Sequence, residues 1–142
     1  RNQVFAHPTL VANITTCKPA GATDATCLDT VINSFGTRAY RRPLTADEVT
    51  QFQALAADAV KNGTDFNGSV EQVVKAMLTS MPFLYRIEAD ADPTSTVAHR
   101  LGPYELATRL SYLVWSSMPD DQLFKDAQSG AIVGRAGNSV GI

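Results

Sequence analysis

The sequence lacks a strong charge of either sign and a long apolar run. Its 12 Lys and Arg residues nearly balance its 14 Asp and Glu residues, and the formal net charge is -2. Because nucleic acids and anionic membranes attract proteins with a clustered basic surface, neither is expected as a partner. No apolar run approaches the roughly 20 residues that a membrane-spanning helix needs, so no membrane span is expected.

Histidine is equally scarce. His7 and His99 are the only histidines, and neither belongs to a His-x-x-x-His or a Cys-x-x-Cys-His pattern, the arrangements that bind zinc and attach haem. Ser111, Ser116 and Ser117 lack the Gly-x-Ser-x-Gly context of one class of nucleophilic serine. We therefore predict no catalytic, cofactor-binding or metal-binding residue in this chain. Whether the protein is an enzyme is left open.

The sequence contains two cysteines, Cys17 and Cys27, with nine residues between them in a stretch rich in turn-forming residues. This spacing favours a disulfide that closes a short loop, and free thiols or metal ligation are the alternatives. Such a disulfide stabilises a fold by about 2–3 kcal/mol, because it restricts the unfolded chain. It also indicates an oxidising compartment, either the periplasm or the outside of the cell.

The periodicity of the apolar residues predicts an all-α fold. Apolar residues recur at helical spacing in five segments, and no alternation of the strand type persists. We expect a compact array of about five helices, with an N-terminal arm tied by the disulfide. The predicted stripes are Leu28, Val31, Ile32, Phe35 and Ala39; Val49, Phe52, Leu55, Ala56, Ala59 and Val60; Val70, Val73, Val74, Met77 and Leu78; Leu106, Ala107, Leu110, Leu113 and Val114; and Leu123, Phe124 and Ala127.

Several residues predict where these helices begin and end. Pro43 ends the first helix, because proline disfavours helical backbone in the residue before it. Thr45 stands three residues before Glu48, the spacing of a capping box that starts the second helix. Asn62-Gly63 predicts a left-handed stop at its end, and the third helix is expected to follow Ser69.

The length of 142 residues suits one domain, or one small domain with part of another. We predict a loop-rich arm at residues 1–27 and a three-helix domain at residues 28–90. Residues 91–142 are expected to form a linker and the start of a second, truncated helical domain.

Arg38, Arg41 and Arg42 lie within about one turn of helix ahead of Pro43. Arginine side chains pair with carboxylates and phosphates through two parallel hydrogen bonds, so one interpretation is an anion site. The other is a structural corner, in which these arginines pair with acids such as Glu48 and set the angle between two helices.

Trp115 is the single tryptophan of the sequence. Its position at the end of the fourth apolar stripe predicts packing in the core. The alternative is a ligand-facing aromatic side chain that lines a carbohydrate groove.

Three segments together resemble a known family. FGTRAYRRPLTADEV (35–49), MLTSMPFLYRIE (77–88) and YELATRLSYLVWSSMPDDQL (104–123) are similar to the planctomycete-specific domain proteins of unknown function. The first two segments resemble one family domain, and the third resembles the opening of the next. The resemblance implies a large secreted bacterial protein, and many members also carry c-type cytochrome domains.

We therefore expect a non-catalytic structural or interaction module of a larger extracytoplasmic bacterial protein. Its partner would be the remainder of that polypeptide or a partner subunit. A scaffold segment of a secreted, cytochrome c-linked redox enzyme is one alternative, with haem c bound elsewhere in the parent protein. A carbohydrate-binding module is the other alternative.

Overall fold

The computed structural model describes residues 8–86, 94, 96 and 100–133, and every regular element in these residues is a helix. The predicted all-α fold is confirmed. The chain divides into two compact units, Arg1–Tyr85 and Arg86–Ile142. The division into an arm and two domains stays a prediction. The helices are α1 (Pro8–Ile14), α2 (Ala25–Tyr40), α3 (Ala46–Lys61), α4 (Phe66–Thr79) and α5 (Met81–Leu84) in the first unit, and α6 (Pro103–Trp115) and α7 (Asp121–Gln128) in the second.

Helix α1 is an additional element in the segment that was expected to be rich in loops. It is only seven residues long, and its first turn contains no acidic residue. A helix this short is not stable by itself in water, so the contacts of the folded chain decide whether it forms. The sequence therefore carries no clear signal for it.

The start of α2 is held by Asp24, whose carboxylate accepts hydrogen bonds from the backbone amides of Ala20 and Cys27 at 2.9 and 3.0 Å. These two bonds lower the pKa of the Asp24 carboxyl, and the bond from Ala20 has the larger effect. The carboxylate also suits the positive end of the helix dipole. Asp24 is thus the N-cap of α2.

Both ends of α3 agree with the prediction. The Thr45 hydroxyl accepts from the Glu48 amide at 3.2 Å, and the Glu48 carboxylate accepts from the Thr45 amide at 2.8 Å, which completes the capping box. At the other end, the Gly63 amide donates to the Val60 carbonyl and the Thr64 amide to the Ala59 carbonyl. Gly63 has a φ of +88°, so the helix ends in a Schellman motif with glycine in the left-handed position.

The predicted start of the next helix at Ser69 is wrong by one turn. The N-cap of α4 is Asp65, whose carboxylate accepts from the Gly68 amide at 2.8 Å. Ser69 lies buried inside the helix, and its hydroxyl donates to the Phe66 carbonyl at 2.8 Å. In the sequence, a serine inside the first turn of a helix cannot be told from a serine that caps it. The burial of Phe66, which places this residue in the helix, decides between the two positions.

The core of the first unit lies between α2, α3 and α4. Burying an apolar side chain such as Ile32 or Met77 stabilises the fold by about 1.5–3 kcal/mol. Leu44, in the α2–α3 connection, packs so closely on Gly36 that a Cβ on this glycine would lie 2.5 Å from its Cδ1. The buried residues form two clusters, Ile32, Ala39, Tyr40, Ala56, Val73 and Met77 in the first, and Cys27, Val31, Phe66, Val70 and Val74 in the second.

Cys17 and Cys27 form a disulfide, as predicted, and the described part of the chain has no free cysteine. Cys27 is buried in the first turn of α2. Cys17 and Ile14 pack against the second cluster. The disulfide therefore connects the segment that follows α1 to the core.

The second unit has a smaller core. Ala107 of α6 and Ala127 of α7 are buried together with Ile132, and Tyr104, Leu106, Leu123 and Val133 pack around them. The Glu105 carboxylate accepts from the Gly102 amide at 2.8 Å at the start of α6. Asp120 caps α7 by accepting from the Leu123 amide at 2.8 Å.

The predicted buried face of α6 is largely wrong. The buried residues of this helix are Ala107, Thr108 and Ser111, whereas Leu110, Leu113 and Val114 are exposed. The buried side chains of α6 are small, and the large apolar residues in its last two turns stay exposed. Periodicity identified the apolar stripe, but it did not show which side of the helix meets a neighbour.

Removing the disulfide is expected to destabilise the first unit. Replacing both Cys17 and Cys27 with Ala should lower the free energy of unfolding by about 2–3 kcal/mol, because the unfolded chain regains the freedom of the closed loop. Urea denaturation monitored by circular dichroism measures this loss. The Thr30→Ala variant changes only an exposed hydroxyl in α2 and serves as the control. An unchanged midpoint in the cysteine variant would contradict the expectation.

Candidate functional site

The arginines ahead of Pro43 are held by partners within the first unit. Arg42 forms two parallel hydrogen bonds with the Glu48 carboxylate, Nη1–Oε2 at 2.9 Å and Nη2–Oε1 at 2.8 Å. Its guanidinium carbon also lies 5.5 Å from the centroid of the Tyr40 ring. These hydrogen bonds raise the pKa of Arg42 and lower the pKa of Glu48. Glu48 thus joins the capping box of α3 to the end of α2.

Arg41 is buried, and it is one of the few residues other than glycine with left-handed backbone, at φ 59°. Its Nη2 lies 2.7 Å from the carbonyl oxygen of Pro82 and 3.2 Å from those of Phe83 and Tyr85. These carbonyls belong to the end of α5, where no helical amide is left to bond them. Arg41 therefore caps a helix that lies about forty residues away in the sequence.

Arg38 is exposed in the last turn of α2. A positive charge at this end of a helix is favoured by the helix dipole. Arg41 and Arg42 contact different groups. Arg41 contacts the carbonyls of Pro82, Phe83 and Tyr85, and Arg42 contacts the Glu48 carboxylate. Whether this corner also binds an external anion stays a prediction.

A hydrogen bond that the sequence did not indicate lies next to this corner. The Tyr40 and Ser80 hydroxyls are 2.8 Å apart, and Ser80 Oγ also lies 2.6 Å from the Met77 carbonyl oxygen. Phe52 packs edge-on against the Tyr40 ring, at 6.4 Å between centroids. The ends of α2 and α4 are therefore joined by polar and aromatic contacts. Tyr40 and Ser80 are 40 residues apart, so no local sequence pattern predicts that they meet.

In the second unit, the most distinctive surface is an exposed set of large apolar side chains, which we call the α6 apolar face: Leu110, Leu113, Val114 and Trp115. Leu113 is 82% exposed and Trp115 is 65% exposed. The prediction that Trp115 packs in the core is therefore wrong for this chain. Trp115 lies in the last turn of α6, four residues after the buried Ser111, and the packing around Ala107, Ala127 and Ile132 does not extend to it.

The remaining aromatic residues occupy varied environments. The Arg86 guanidinium lies over the Tyr112 ring, 4.5 Å from its centroid. Tyr104 packs against the small core of the second unit, and Phe83 against the first cluster. Tyr85 is exposed.

Neither a metal site nor a membrane span is found in the part of the chain that the structure describes. Residues 8–86, 94, 96 and 100–133 include no group of three or more His, Cys, Asp or Glu side chains placed to hold a metal ion. Within the same residues, no helix is long and apolar enough to cross a membrane. His7 and His99 lie outside the described residues.

Of the serines considered as nucleophiles, Ser111 is buried and its hydroxyl donates to the Ser117 carbonyl, which gives it a structural contact. The sequence at residues 137–141 has the pattern Gly-x-Ser-x-Gly, but it lies outside the described residues. That pattern indicates a nucleophile only in a strand-to-helix turn. The described elements next to it are helices.

Two domain families match the chain. Residues 27–88 match the family described as "PSD5: Protein of unknown function (DUF1595)", and residues 101–138 match "PSD4: Protein of unknown function (DUF1592)". The chain thus carries two domains of unknown function in this order, and the resemblance to planctomycete-specific domain proteins is confirmed. No curated protein and no solved structure is significantly similar to the chain.

Replacing Arg41 is expected to weaken the first unit. Arg41→Ala should lower the free energy of unfolding by about 2–3 kcal/mol, because hydrogen bonds to a charged group are lost and carbonyls at the end of α5 lose their donor. Arg38→Ala is the matched control. This exposed residue lies in the same helix turn, and its loss should cost less than about 1 kcal/mol. Equal losses for the two variants, measured by urea denaturation, would contradict the capping role.

The Arg42–Glu48 pair is expected to make stability depend on pH. Since folding lowers the pKa of Glu48, the pair's contribution is fully present above the ordinary pKa of glutamate. It is lost as the pH falls through the lower pKa of the folded state. Glu48→Gln should cost about 1 kcal/mol at neutral pH and flatten the acid limb of the unfolding curve. Asp58→Asn, which removes the exposed Lys61 pair of α3, is the control and should leave this limb nearly unchanged. An unchanged acid limb in the Glu48 variant would contradict the prediction.

Proposed function

We propose that the chain is a non-catalytic interaction module of a larger extracytoplasmic bacterial protein, and that the α6 apolar face packs against another part of that protein. The observation that carries the proposal is the exposure of Leu110, Leu113, Val114 and Trp115 on one helix. Contiguous apolar surface on a folded protein usually marks an interaction site. Burying a leucine fully stabilises by about 1.5–3 kcal/mol, so a partner that covers this face gains substantially.

The family matches support the remainder of the same polypeptide as the partner. Both are domain families, and the two domains follow one another in a single chain. The second match begins at residue 101, directly before α6. The α6 apolar face therefore lies within a matched domain and not in a linker. A surface that docks onto another part of the same polypeptide is expected in such a domain.

Three ionisable groups of the first unit support this architectural role. The pKa shifts of Asp24, Arg42 and Glu48 each favour the charged form. A general acid or base needs the opposite, a pKa moved toward the working pH by burial or by a like charge. All three groups stabilise helix ends instead.

The disulfide supports a location outside the cytoplasm. Disulfides form and persist in oxidising compartments, whereas the bacterial cytoplasm keeps thiols reduced. Cys27 is buried against the second cluster, so the disulfide is part of the core of the first unit. This placement fits a permanent structural role in the periplasm or outside the cell.

Hydroxyl-radical footprinting tests the proposal. We would label the natively purified parent protein and this chain by itself, and quantify oxidation of Trp115 and Leu113 by mass spectrometry. Strong protection of both residues in the parent, and high reactivity in the isolated chain, is the expected result. The denatured parent is the reference, because both side chains are fully accessible to the radical there. Equal labelling in the folded parent and the isolated chain would overturn the proposal.

A second measurement uses a charge on the same face. Leu113→Glu should leave the stability of the isolated chain nearly unchanged, since Leu113 is exposed there. In the parent protein the same change should cost about 2 kcal/mol or more, because a charge would be buried in an interface. Asn33→Glu, an exposed change in α2, is the matched control. A cost in the isolated chain alone would contradict docking.

Exposure of Trp115 also favours the carbohydrate-binding alternative. Exposed aromatic rings can stack on apolar faces of ligands, and Trp115 is the only tryptophan, so its fluorescence reports on this site alone. A shift in emission on adding soluble oligosaccharides, abolished in Trp115→Phe, would support binding. Unchanged emission over a broad oligosaccharide panel would exclude this alternative for the ligands tested.

The cytochrome-linked alternative concerns the parent protein. We expect any haem c to be attached in another part of that protein, because this sequence lacks a Cys-x-x-Cys-His motif. The test is a dithionite-reduced minus oxidised absorbance spectrum of the native parent assembly. Haem bands would support a redox assembly with this chain as a scaffold, and their absence would exclude it.

A further inference from the structure

The sequence contains two Asn-Gly pairs, Asn62-Gly63 and Asn67-Gly68, and both asparagines are exposed. In such a pair the glycine has no side chain to hinder its amide nitrogen from reaching the side-chain carbonyl carbon of the asparagine. This attack expels ammonia and is the usual route of asparagine deamidation. The two pairs are identical as dipeptides, so any difference between them comes from the fold.

The first pair lies in an open position at the end of α3. Asn62 directly follows the last helical residue, and apart from Gly63 and its two chain neighbours no atom lies within 4 Å of the place where a Cβ on Gly63 would stand. The Asn62 side-chain amide donates to the Asp58 carbonyl at 2.8 Å, an exposed bond at the same helix end. The Gly63 amide donates to a neutral acceptor, the Val60 carbonyl, at 2.9 Å. Water and hydroxide therefore have access to this peptide, and fraying of one exposed helix end is enough to free its amide.

The second pair lies in a crowded position in the first turn of α4. The Gly68 amide donates to the Asp65 carboxylate at 2.8 Å, and a Cβ on Gly68 would lie 3.1 Å from Asp65 Oδ1. Phe66 and Ser69, on either side of the pair, are buried. The backbone rotation that ring closure requires would therefore expose part of the core.

We propose that Asn62 is a site of spontaneous deamidation and that the fold protects Asn67. At Asn62, the Gly63 amide nitrogen loses its proton and bonds to Cγ, the Cγ–Nδ2 bond breaks, and ammonia leaves. Water then opens the cyclic imide at either carbonyl, which yields aspartate or isoaspartate. One water is consumed for each ammonia released, and the step involves no oxidation or reduction.

Electrostatics act in the same direction as access. The attacking nitrogen is an anion, and the full negative charge of Asp65, at 2.8 Å from the Gly68 nitrogen, opposes its formation there. The dipole of α4 favours this anion by only about half a charge, and the dipole of α3 opposes the anion at Gly63 by a similar amount. The carboxylate therefore outweighs both dipoles, and Gly68 is the poorer nucleophile.

Isoaspartate at position 62 would change the end of α3. It lengthens the backbone by one carbon between Asn62 and Gly63, where the Schellman hydrogen bonds to Val60 and Ala59 are made. It also places a carboxylate at the negative end of the helix dipole. Both effects favour fraying at the C-terminal end of α3. Because the reaction is not reversed, the frayed fraction of the protein should increase as it ages.

Peptide mapping by mass spectrometry tests the proposal. The whole folded chain is incubated in mildly alkaline buffer, and the mass gain of each Asn-Gly peptide is followed with time. Asn62 is expected to react at least about tenfold faster than Asn67, a factor that corresponds to about 1.4 kcal/mol. Equal rates, or a faster reaction at Asn67, would overturn the proposal.

Two controls show that the fold is the cause. In urea, both pairs should react at similar rates, since the unfolded chain removes the contacts of Asp65 and the buried residues around Asn67. N62Q should abolish the fast reaction in the folded chain, and N67Q should leave it unchanged. A difference between the two sites that persists in urea would mean that neighbouring residues in the sequence, and not the fold, determine the rates, and would also overturn the proposal.

Discussion

The first unit depends on the contact between the Arg41 guanidinium and the carbonyl oxygens of Pro82, Phe83 and Tyr85. A buried charge is costly unless several polar groups surround it, and these carbonyls lack helical donors of their own. The contact connects the end of α2 to the segment after α4, while Arg42 connects the same end to Glu48 and the start of α3. Three helices therefore meet at two consecutive arginines.

This use of charge accounts for the charged motifs in the described residues. The Arg-Arg-Pro segment, the Thr45 capping box and the caps at Asp24 and Asp65 all serve helix ends. In the described residues the strongest sign of function is instead an apolar surface on α6. These polar groups therefore serve the architecture of the first unit, and the exposed apolar side chains of α6 carry the proposed role as an interaction module.

Local signals predicted much of the fold because they depend on residues three or four positions apart. The capping box at Thr45 and the glycine stop at Gly63 are of this kind. The start of α4 was misplaced because Asp65 and Ser69 carry similar local signals, and the burial of Phe66 decides between them. Helix α1 was missed because a helix of seven residues depends on contacts that lie outside it.

The sequence by itself determined the helical class, the disulfide and the two-domain resemblance, since periodicity, cysteine spacing and motifs are properties of short segments. The tertiary structure decided which residues face a neighbour. It brought Arg41 to the Pro82 carbonyl, and it buried Ala107 and Ser111 of α6 while Leu113 and Trp115 stayed exposed. The reason is physical: a stripe on a helix marks a side that can be buried, but only the packing of other elements determines whether it is.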